Sequence, residues 1–431
     1  MKLVLGLEIH LHLNTKTKMF CGCSADIWGK EPNTHTCPVC LGLPGALPVP
    51  NEEAVRKTQL LGLALGSKLN NDSRFDRKHY FYPDLPKGYQ ISQYKQPLCV
   101  GGELELDSGL VARIERVHLE EDVAKSFHEK DKTLLDFNKS GIPLVEIVSE
   151  PCFTNVKDAV DYSKKIQQIV RALGIGDCDM EKGQMRLEAN ISLRTEEMEE
   201  KGELSPYKVE IKNINSFRFM EKAVEAEIRR QTEIFDKGEM PMQENRGYDE
   251  DRGETIPQRT KEEAKDYRYF PEPDIPPMEF TDDYIKELKM ELPELPHQMK
   301  EKLISMGVGE NYANIIVNKF EKGGVEKFKE LVAKGLDSNS VAGLFVNRKG
   351  ITELSFEEIK ATLEGGEALD NKEELEGIIS EVITENPKAV ADFKEGKDTA
   401  VQFLLGQVMR KTQGKADPNI STKIIINLLN L

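Results

Sequence analysis

Strict alternation of apolar and polar residues is the feature that most limits the fold of this chain. From Met185 to Arg194 the apolar and polar positions alternate almost without interruption, and the shorter stretch Leu7–Leu13 follows the same pattern. Successive side chains on a β-strand point to opposite faces, so a period of two predicts strands with one buried and one polar face. Such strands are typical of an antiparallel sheet that packs on one side and is open on the other.

Two amphipathic segments predict helices that back this sheet. Residues Asp158–Leu173 carry apolar side chains at helical spacing and end before Gly174, a residue type that commonly terminates helices. Residues Phe217–Phe235 follow Asn215 and Ser216, either of which can cap a helix. Together with the strands they predict an α+β fold: a mainly antiparallel sheet with flanking helices, followed by an all-α region and a small helical unit.

Length and composition indicate three domains. The chain has 431 residues, and domains average roughly 150 residues. A proline-rich stretch at 270–277 and a glycine-containing turn at 363–366 are the expected breaks, because such residues interrupt regular structure. Helices with Lys and Glu on their faces follow the first break, so we expect domains at 1–289, 290–365 and 366–431.

Composition also excludes several classes of protein. Lys and Arg number 59 against 75 Asp and Glu, for a net charge of −16, which argues against general binding to duplex nucleic acid. No apolar run reaches the roughly 18 residues of a membrane span, and residues 1–6 do not resemble a secretory signal, so a cytoplasmic protein without a membrane partner is expected. There is no P-loop, dinucleotide fingerprint, H-E-x-x-H motif or Ser-Ser dipeptide of a serine-pair amidase.

Four of the seven cysteines form two close pairs, Cys21 with Cys23 and Cys37 with Cys40. Thirteen residues separate the pairs, and in a reducing compartment this spacing predicts a Cys₄ zinc site. A closed shell of four thiolates leaves no open coordination position, so the Zn²⁺ would be structural. The alternative is a set of reduced thiols without a metal.

Acidic residues and histidine occur on several strand-like segments. Glu8 and His10 share one strand face, 118–122 ends in three consecutive carboxylates, and Glu146 lies inside an apolar run. A carboxylate in apolar surroundings needs a cation or hydrogen-bond donors to offset its desolvation. Mg²⁺ prefers such oxygen ligands and often bridges to phosphate. Each residue taken singly has another interpretation, solvation or pairing with a lysine, and both interpretations stay open at this point.

Two loops, 75–90 and 266–274, combine aromatic, basic and proline residues. Basic and aromatic side chains together can bind phosphates and stack on bases. The alternative is a pair of rigid surface loops packed on their own rings. The chain from Asn386 onward is locally basic, which suits contact with an RNA backbone or simply a solvated helical face.

Taken in order, these motifs resemble one family, the B subunits of the glutamine-dependent aspartyl/glutamyl-tRNA amidotransferases. The matching segments are 6–10, 31–45, 75–84, 89–93, 118–122, 145–151, 212–216 and 266–274. Segments 396–397, 406–409 and 414–416 are similar to the family's tail domain, and the helical region before the tail is shorter than is usual in the family.

The resemblance implies an ATP-dependent carbon–nitrogen ligase. Such an enzyme takes Glu-tRNA(Gln) or Asp-tRNA(Asn), phosphorylates the side-chain carboxylate with ATP and Mg²⁺, and replaces the phosphate with ammonia. A glutaminase A subunit would supply the ammonia through a channel, and a small C subunit would join the two. The implied architecture is a β cradle domain over 1–289, a helical domain over 290–365 and a tail domain over 366–431 that contacts tRNA.

The resemblance also implies roles for individual residues. The implied Mg²⁺ ligands and catalytic groups are Glu8, His10, Glu121 and Glu146, with Glu120, Asp122 and Glu210 as second choices. Lys78 would act at the channel mouth, where it could pair with Glu121. Shared charged strand faces, and not the resemblance, make Arg186, Lys208 and Lys212, together with Glu210, candidates for contacting the nucleotide. For these last residues the alternative is pairing on the sheet surface.

Two other functions are compatible with the residues alone. One is a zinc-containing RNA-binding protein without catalysis, which leaves Glu146 and the other carboxylates without a role. The other is a stand-alone ATP-dependent ligase or kinase of a small acid. ATP turnover that depends on misacylated tRNA and on an amidase partner would distinguish the three.

Overall fold

The structure, a computed structural model, describes residues 1–260, 267–364, 372–394, 399–412, 416 and 418–429. The chain divides into two compact units, Met1–Met299 and Lys300–Leu431. The expected break at residue 289 falls inside the first unit, and the separation of a helical from a tail domain stays a prediction. Part of the expected turn at 363–366 and the tail segments 396–397 and 414–415 lie outside the described residues.

Strands occur in the first unit. They are β1 (Lys2–His12), β2 (Lys68–Leu69), β3 (Asp72–Ser73), β4 (Asp76–His79), β5 (Tyr89–Ser92), β6 (Cys99–Val100), β7 (Glu103–Glu105), β8 (Val111–Glu121), β9 (Lys125–His128), β10 (Thr133–Asp136), β11 (Pro143–Ser149), β12 (Met185–Arg194), β13 (Val209–Ile214), β14 (Glu244–Asp249), β15 (Glu254–Thr260), β16 (Phe270–Pro271) and β17 (Met278–Glu279).

Helices occur in both units. They are α1 (Glu52–Ala64), α2 (Val156–Ala172), α3 (Glu196–Glu200), α4 (Phe217–Asp236), α5 (Asp282–Met290), α6 (Pro296–Ser305), α7 (Glu310–Lys319), α8 (Glu321–Ala333), α9 (Ser338–Asn347), α10 (Phe356–Glu364), α11 (Lys372–Glu385), α12 (Pro387–Lys394), α13 (Thr399–Lys411) and α14 (Pro418–Leu429). Among the described residues, no helix combines the length and apolar character needed to cross a membrane.

One large sheet organises the first unit. Its strand order is β15-β14-β13-β12-β1-β11-β8-β6-β2, and β7 pairs with β8 beside this path. Neighbouring strands are antiparallel except β13 and β14, which are parallel. The predicted α+β fold with a mainly antiparallel sheet is therefore confirmed, and β1 lies near the centre with β12 on one side and β11 on the other.

The apolar faces of these strands form the core with α2 and α4. Leu5, Ile9 and Leu11 of β1 are completely buried, as are Ile166 of α2 and Val224 of α4. The opposite face of the same strands carries the charged residues. Because alternation places every charged side chain of β1 on one face, burial of the apolar face leaves that charged face for a site.

Helix capping explains where the two flanking helices begin. The side chain of Ser216 accepts a hydrogen bond from the backbone N–H of Phe219 and caps α4 as predicted. Helix α2 begins two residues earlier than predicted because Asn155 caps it, accepting from the backbone N–H of Asp158 at 2.9 Å.

The last helices of the second unit share an apolar core of their own. Leu375 and Ile379 of α11, Leu404 and Val408 of α13 and Ile425 of α14 are almost fully buried against one another. A shared apolar core of this kind holds these helices together, and the boundary of a separate tail domain at residue 366 stays a prediction.

Candidate functional site

A polar cavity of about 500 Å³ lies over the open face of the large sheet. Side chains of β1, β8, β11, β12 and β13 line it, together with residues of the two aromatic and basic loops. The predicted residues that line it are Glu8, His10, Lys78, Glu120, Asp122, Glu146, Arg186, Lys208, Glu210 and Lys212.

Strand register brings residues that are distant in sequence into this cavity. His10 on β1 lies opposite Glu146 on β11, and Glu146 lies opposite His118 on β8. On the other side of β1, Glu8 lies opposite Glu188 on β12. Directly opposed residues of antiparallel strands project from the same face, so the pairing alone makes these side chains neighbours.

A first cluster consists of His10, Glu120 and Glu146. The Nε2 atom of His10 lies 3.5 Å from Oε1 of Glu120 and 3.5 Å from Oε2 of Glu146. His118 adds its Nε2 atom 3.2 Å from the same oxygen of Glu146. One ligand atom from each of the three cluster members lies within 4.8 Å of the others, an arrangement that could hold a metal ion.

The charges of this cluster depend on each other. Burial would raise the pKa of Glu146, but the imidazoles of His118 and His10 outweigh burial and hold that pKa well below its usual range. Burial would lower the pKa of His10, yet Glu146 raises it to about 9. Burial and the charge of Glu146 raise the pKa of Glu120. Three buried atoms around this cluster have no hydrogen-bond partner in the described part of the chain, namely Nδ1 of His10, Nδ1 of His118 and Oε2 of Glu120.

A second acidic cluster lies beside the first and contains Glu8, Glu188 and Glu210, which could also hold a metal ion. Lys212 contacts two of these carboxylates, with Nζ 2.8 Å from Oε2 of Glu188 and 2.9 Å from Oε1 of Glu210. Asn190 donates to Oε1 of Glu8 at 2.8 Å. Burial and the neighbouring carboxylates, Glu146 first, raise the pKa of Glu8 to about 6. Burial would raise the pKa of Glu188 as well, but Lys212 and other partners lower it to about 2.

The structure separates Glu121 from both clusters. Its carboxylate is ion-paired with Lys87 and accepts a hydrogen bond from the backbone N–H of Ile91 at 3.0 Å. The predicted pairing of Lys78 with Glu121 is therefore wrong. Adjacent residues on a strand point to opposite faces, so Glu120, only a second choice from the sequence, faces the cavity instead. The alternation of apolar Val117 and Leu119 with the polar residues of β8 was the signal that distinguishes the two glutamates.

Lys78 lines the cavity without an ion pair to a carboxylate among the residues that the structure describes. Its Nζ atom lies 5.1 Å from the ring centre of Tyr267, at cation–π distance. Burial would lower the pKa of Lys78, but Glu120 and further negative groups raise it well above its usual value. Lys78 is thus a charged group at the cavity wall.

Asp122 holds a group of basic side chains at one end of the cavity. It contacts Nε2 of His12 at 2.5 Å, Nζ of Lys139 at 2.9 Å and Nη1 of Arg186 at 3.1 Å. Burial would raise the pKa of Asp122, but Arg186 and Lys139 hold it well below its usual range. Of the cations predicted to contact the nucleotide, Arg186 is thus held by Asp122 and Lys212 by the second cluster, while Lys208 lines the cavity.

Tyrosines from the two predicted loops form one wall of the cavity. Strand β16 pairs with β4, which brings the loop segments together. The rings of Tyr94 and Tyr269 stack with centres 4.2 Å apart, and Tyr80 contacts Tyr267 edge to face. The residue pattern of the two loops was recognisable in the sequence, but Tyr94 lies outside them, and the roles of His118 and Glu188 were not predicted. Glu188 shares the alternating face of Arg186 and was recognisable from that pattern.

The four clustered cysteines also come together, outside the cavity. The sulfur atoms of Cys21, Cys23, Cys37 and Cys40 all lie within 4.8 Å of one another. A tetrahedral zinc site with Zn–S bonds of about 2.3 Å requires sulfurs about 3.8 Å apart, so small shifts suffice and the donor set fits this metal. Hydrogen bonding from Cys21 lowers the pKa of Cys40 to about 5, although burial of the thiol would raise it.

Comparison with known proteins identifies the family of this chain. The family model described as the GatB/GatE catalytic domain matches residues 3–286, and the one described as the GatB domain matches 311–429. The B subunit of the aspartyl/glutamyl-tRNA(Asn/Gln) amidotransferase from a Thermoanaerobacter species is 42% identical over 475 residues, covering 98% of both chains. The B subunit of the same name from Thermus thermophilus is 42% identical over 472 residues and covers 99% of both chains.

A third relative, the B subunit from Thermotoga maritima, is 40% identical over 493 residues, which cover 99% of this chain and 98% of the relative. The catalytic-domain model covers the whole cavity, and each of these relatives aligns over nearly its full length. This chain therefore belongs to the family of aspartyl/glutamyl-tRNA amidotransferase B subunits.

Proposed function

We propose that this chain phosphorylates the side-chain carboxylate of Glu-tRNA(Gln), Asp-tRNA(Asn) or both with ATP, and then converts it to the amide. The observation that supports this most is the convergence of two acidic clusters and several cations in one cavity. The carboxylate oxygen attacks the γ-phosphorus of ATP, which yields an acyl phosphate and ADP. Ammonia then attacks the acyl carbon, phosphate leaves, and the amide forms.

The donor set of the first cluster fits Mg²⁺. Two carboxylates and an imidazole face one point, and the unpartnered Oε2 atom of Glu120 is available for a further ligand. Mg²⁺ bound by His10, Glu120 and Glu146 would neutralise the negative charge of the nucleotide phosphates. The second cluster, with Glu8, Glu188 and Glu210, would hold a further cation. Phosphoryl transfer depends mainly on such positioning and charge neutralisation.

The cations of the cavity would orient the anionic reactants. Lys78 is the best placed, because it forms no ion pair with a carboxylate in the described structure and lies near Glu120 and Glu146. Its ammonium would bind the substrate carboxylate or the phosphoryl group that is transferred. Arg186 and Lys208 would contact the nucleotide phosphates, Arg186 while remaining oriented by Asp122.

The remaining parts of the proposal concern partners. The sequence contains no Ser-Ser dipeptide of a serine-pair amidase, so we propose that a glutaminase A subunit supplies the ammonia and that a small C subunit joins the two. The tail core over α11–α14 would contact the outer part of the tRNA. Because the substrate is an aminoacyl-tRNA used in translation, we place the reaction in the cytoplasm.

For the cysteine cluster we propose a structural Zn²⁺. Cys21, Cys23, Cys37 and Cys40 would supply four thiolates and leave no position for substrate. The loop around Cys37 is held to the segment before β11, where His35 donates its backbone N–H to Asn138 at 2.7 Å. The metal would therefore stabilise the segment that leads into Glu146, and it would take no part in the chemistry.

Glutamine substitutions in the first cluster test the catalytic proposal. In the complex assembled with the A and C subunits, Glu120→Gln and Glu146→Gln should each abolish ATP hydrolysis stimulated by misacylated tRNA. Each variant loses a ligand charge while the carboxamide keeps the shape of the side chain. Glutamine hydrolysis by the A subunit should continue.

Glu129→Gln is the matched control, because Glu129 is exposed in the turn between β9 and β10, where its partner is Lys132. This variant should behave as the wild-type protein does. Normal transamidation by both cluster variants would refute the assignment of the first cluster. ATP hydrolysis at the same rate with and without misacylated tRNA would instead favour a stand-alone ligase or kinase of a small acid.

A further inference from the structure

Lys18 is a lysine with a completely buried side chain beside the cysteine cluster. Its Nζ atom lies 3.7 Å from the sulfur of Cys40 and 3.3 Å from the carbonyl oxygen of Phe137. Within the part of the chain that the structure describes, Lys18 forms no ion pair with a carboxylate. The mechanism proposed above does not use this residue.

Burying an ammonium group is unfavourable unless an opposite charge accompanies it. The carbonyl of Phe137 offers only a neutral dipole, so the counter-charge must come from the sulfur side. Four thiolates around a divalent cation carry a net charge of −2, which makes such a centre an anion. One buried ammonium in contact with a thiolate would remove half of that net charge.

The surrounding backbone holds Lys18 against the cluster. Its own N–H donates to the carbonyl of Cys23 at 2.9 Å, and the next residue, Met19, donates to the carbonyl of Gly141 at 2.7 Å. Gly141 has a left-handed φ of +85°, and a Cβ there would lie 3.5 Å from Cδ of Lys18 and 3.5 Å from Cβ of Cys40. The lysine stem is therefore packed between the cysteine loop and the turn before β11.

We propose that Lys18 is the internal counter-cation of the metal–thiolate centre. When the metal is bound, the ammonium group of Lys18 donates to the sulfur of Cys40. This contact increases the affinity of the four cysteines for the metal. The inference rests on the proposed zinc site and makes Lys18 a positioning residue of that site. Charged groups in the outer shell of a metal site typically change its affinity in this way.

Lys18→Met tests the inference, since methionine replaces the buried stem without the charge. In the full-length chain, competition with a chromophoric chelator should show zinc affinity about 10- to 100-fold weaker than in the wild type. Lys16→Met is the matched control, because it removes the same charge from an exposed position of the same loop. It should leave zinc affinity unchanged. With Co²⁺ in place of zinc, both variants should keep the thiolate-to-cobalt absorption bands of four sulfur ligands.

A second measurement separates the charge from simple packing. The thermal unfolding temperature of Lys18→Met should be lower than that of wild type only when the metal is present. The metal-free variant should unfold no earlier than metal-free wild type. Equal zinc affinity in Lys18→Met and wild type would overturn the inference, and so would equal loss of stability with and without metal. Failure of the wild-type chain itself to bind zinc would overturn the zinc site as well, so the two failures are distinguishable.

Discussion

Replacing Asp122 by asparagine should destabilise the first unit more than most single substitutions. The carboxylate is 3% exposed and contacts Lys139 at 2.9 Å and Arg186 at 3.1 Å. Asp122→Asn leaves both cations partly buried without their counter-charge. Breaking a buried ion pair from one side typically costs about 3 to 5 kcal/mol, so we expect a loss of that order in the free energy of unfolding at pH 7.

Urea unfolding of wild-type and variant chains as a function of pH provides the assay. The pKa of Asp122 lies well below its usual value in the folded chain, so its contribution is complete above the unfolded pKa of about 3.9. That contribution is lost as the pH falls through the lower, folded pKa. The difference between wild type and Asp122→Asn should therefore be constant from pH 7 down to about pH 5 and shrink below about pH 4.

Asp26→Asn serves as the control for this experiment. Asp26 is exposed and lies 3.5 Å from Lys30, a surface pair of the kind that contributes about 0 to 1 kcal/mol. It should change the free energy of unfolding little at any pH. A loss for Asp122→Asn no larger than that of Asp26→Asn, or one that does not shrink in acid, would refute the argument from the buried cations.

Two further predictions concern other parts of the first unit. Elemental analysis should find about one zinc per chain, and Cys37→Ser should lose it, since three thiolates close the shell less tightly; a folded, zinc-free wild type would contradict this. Glu227 is fully buried and accepts hydrogen bonds from Arg230 at 2.7 Å and from Thr255 at 2.6 Å. Glu227→Ala leaves these partners without an acceptor, so the free energy of unfolding measured by chemical denaturation should fall by about 3 to 5 kcal/mol. A cost below about 1 kcal/mol would show that these groups find other partners.

Much of the fold was accessible from local patterns. The alternation from Met185 to Arg194 coincides with β12 residue for residue, and Leu7–Leu13 identified all but the first part of β1. Ser216 was a correct cap for α4. These features depend on neighbours two to four positions apart, and their physical causes, side-chain alternation and unsatisfied helix ends, act within a few residues.

The assignment of Glu121 shows where local pattern reasoning must be applied strictly. A run of carboxylates at 120–122 looks uniform in sequence, yet its members reach three environments. Glu120 faces the cavity, and Glu121 forms an ion pair with Lys87 on the other face. Asp122 contacts a group of basic side chains that includes Arg186. The parity of Val117 and Leu119 separates the first two, but the basic partners of Asp122 come from distant segments.

The sequence alone determined the strand faces, the flanking helices and the grouping of four cysteines into two close pairs, because hydrophobic period and residue spacing are properties of short segments. Only the tertiary structure decided that His118 and Glu188 join His10 and Glu8 in one cavity. That outcome depends on which strands pair and in what register. Burial of the shared core selects the pairing and the register of strands that lie more than a hundred residues apart in the sequence. A shift by one residue would turn every charged side chain of a strand to the wrong face.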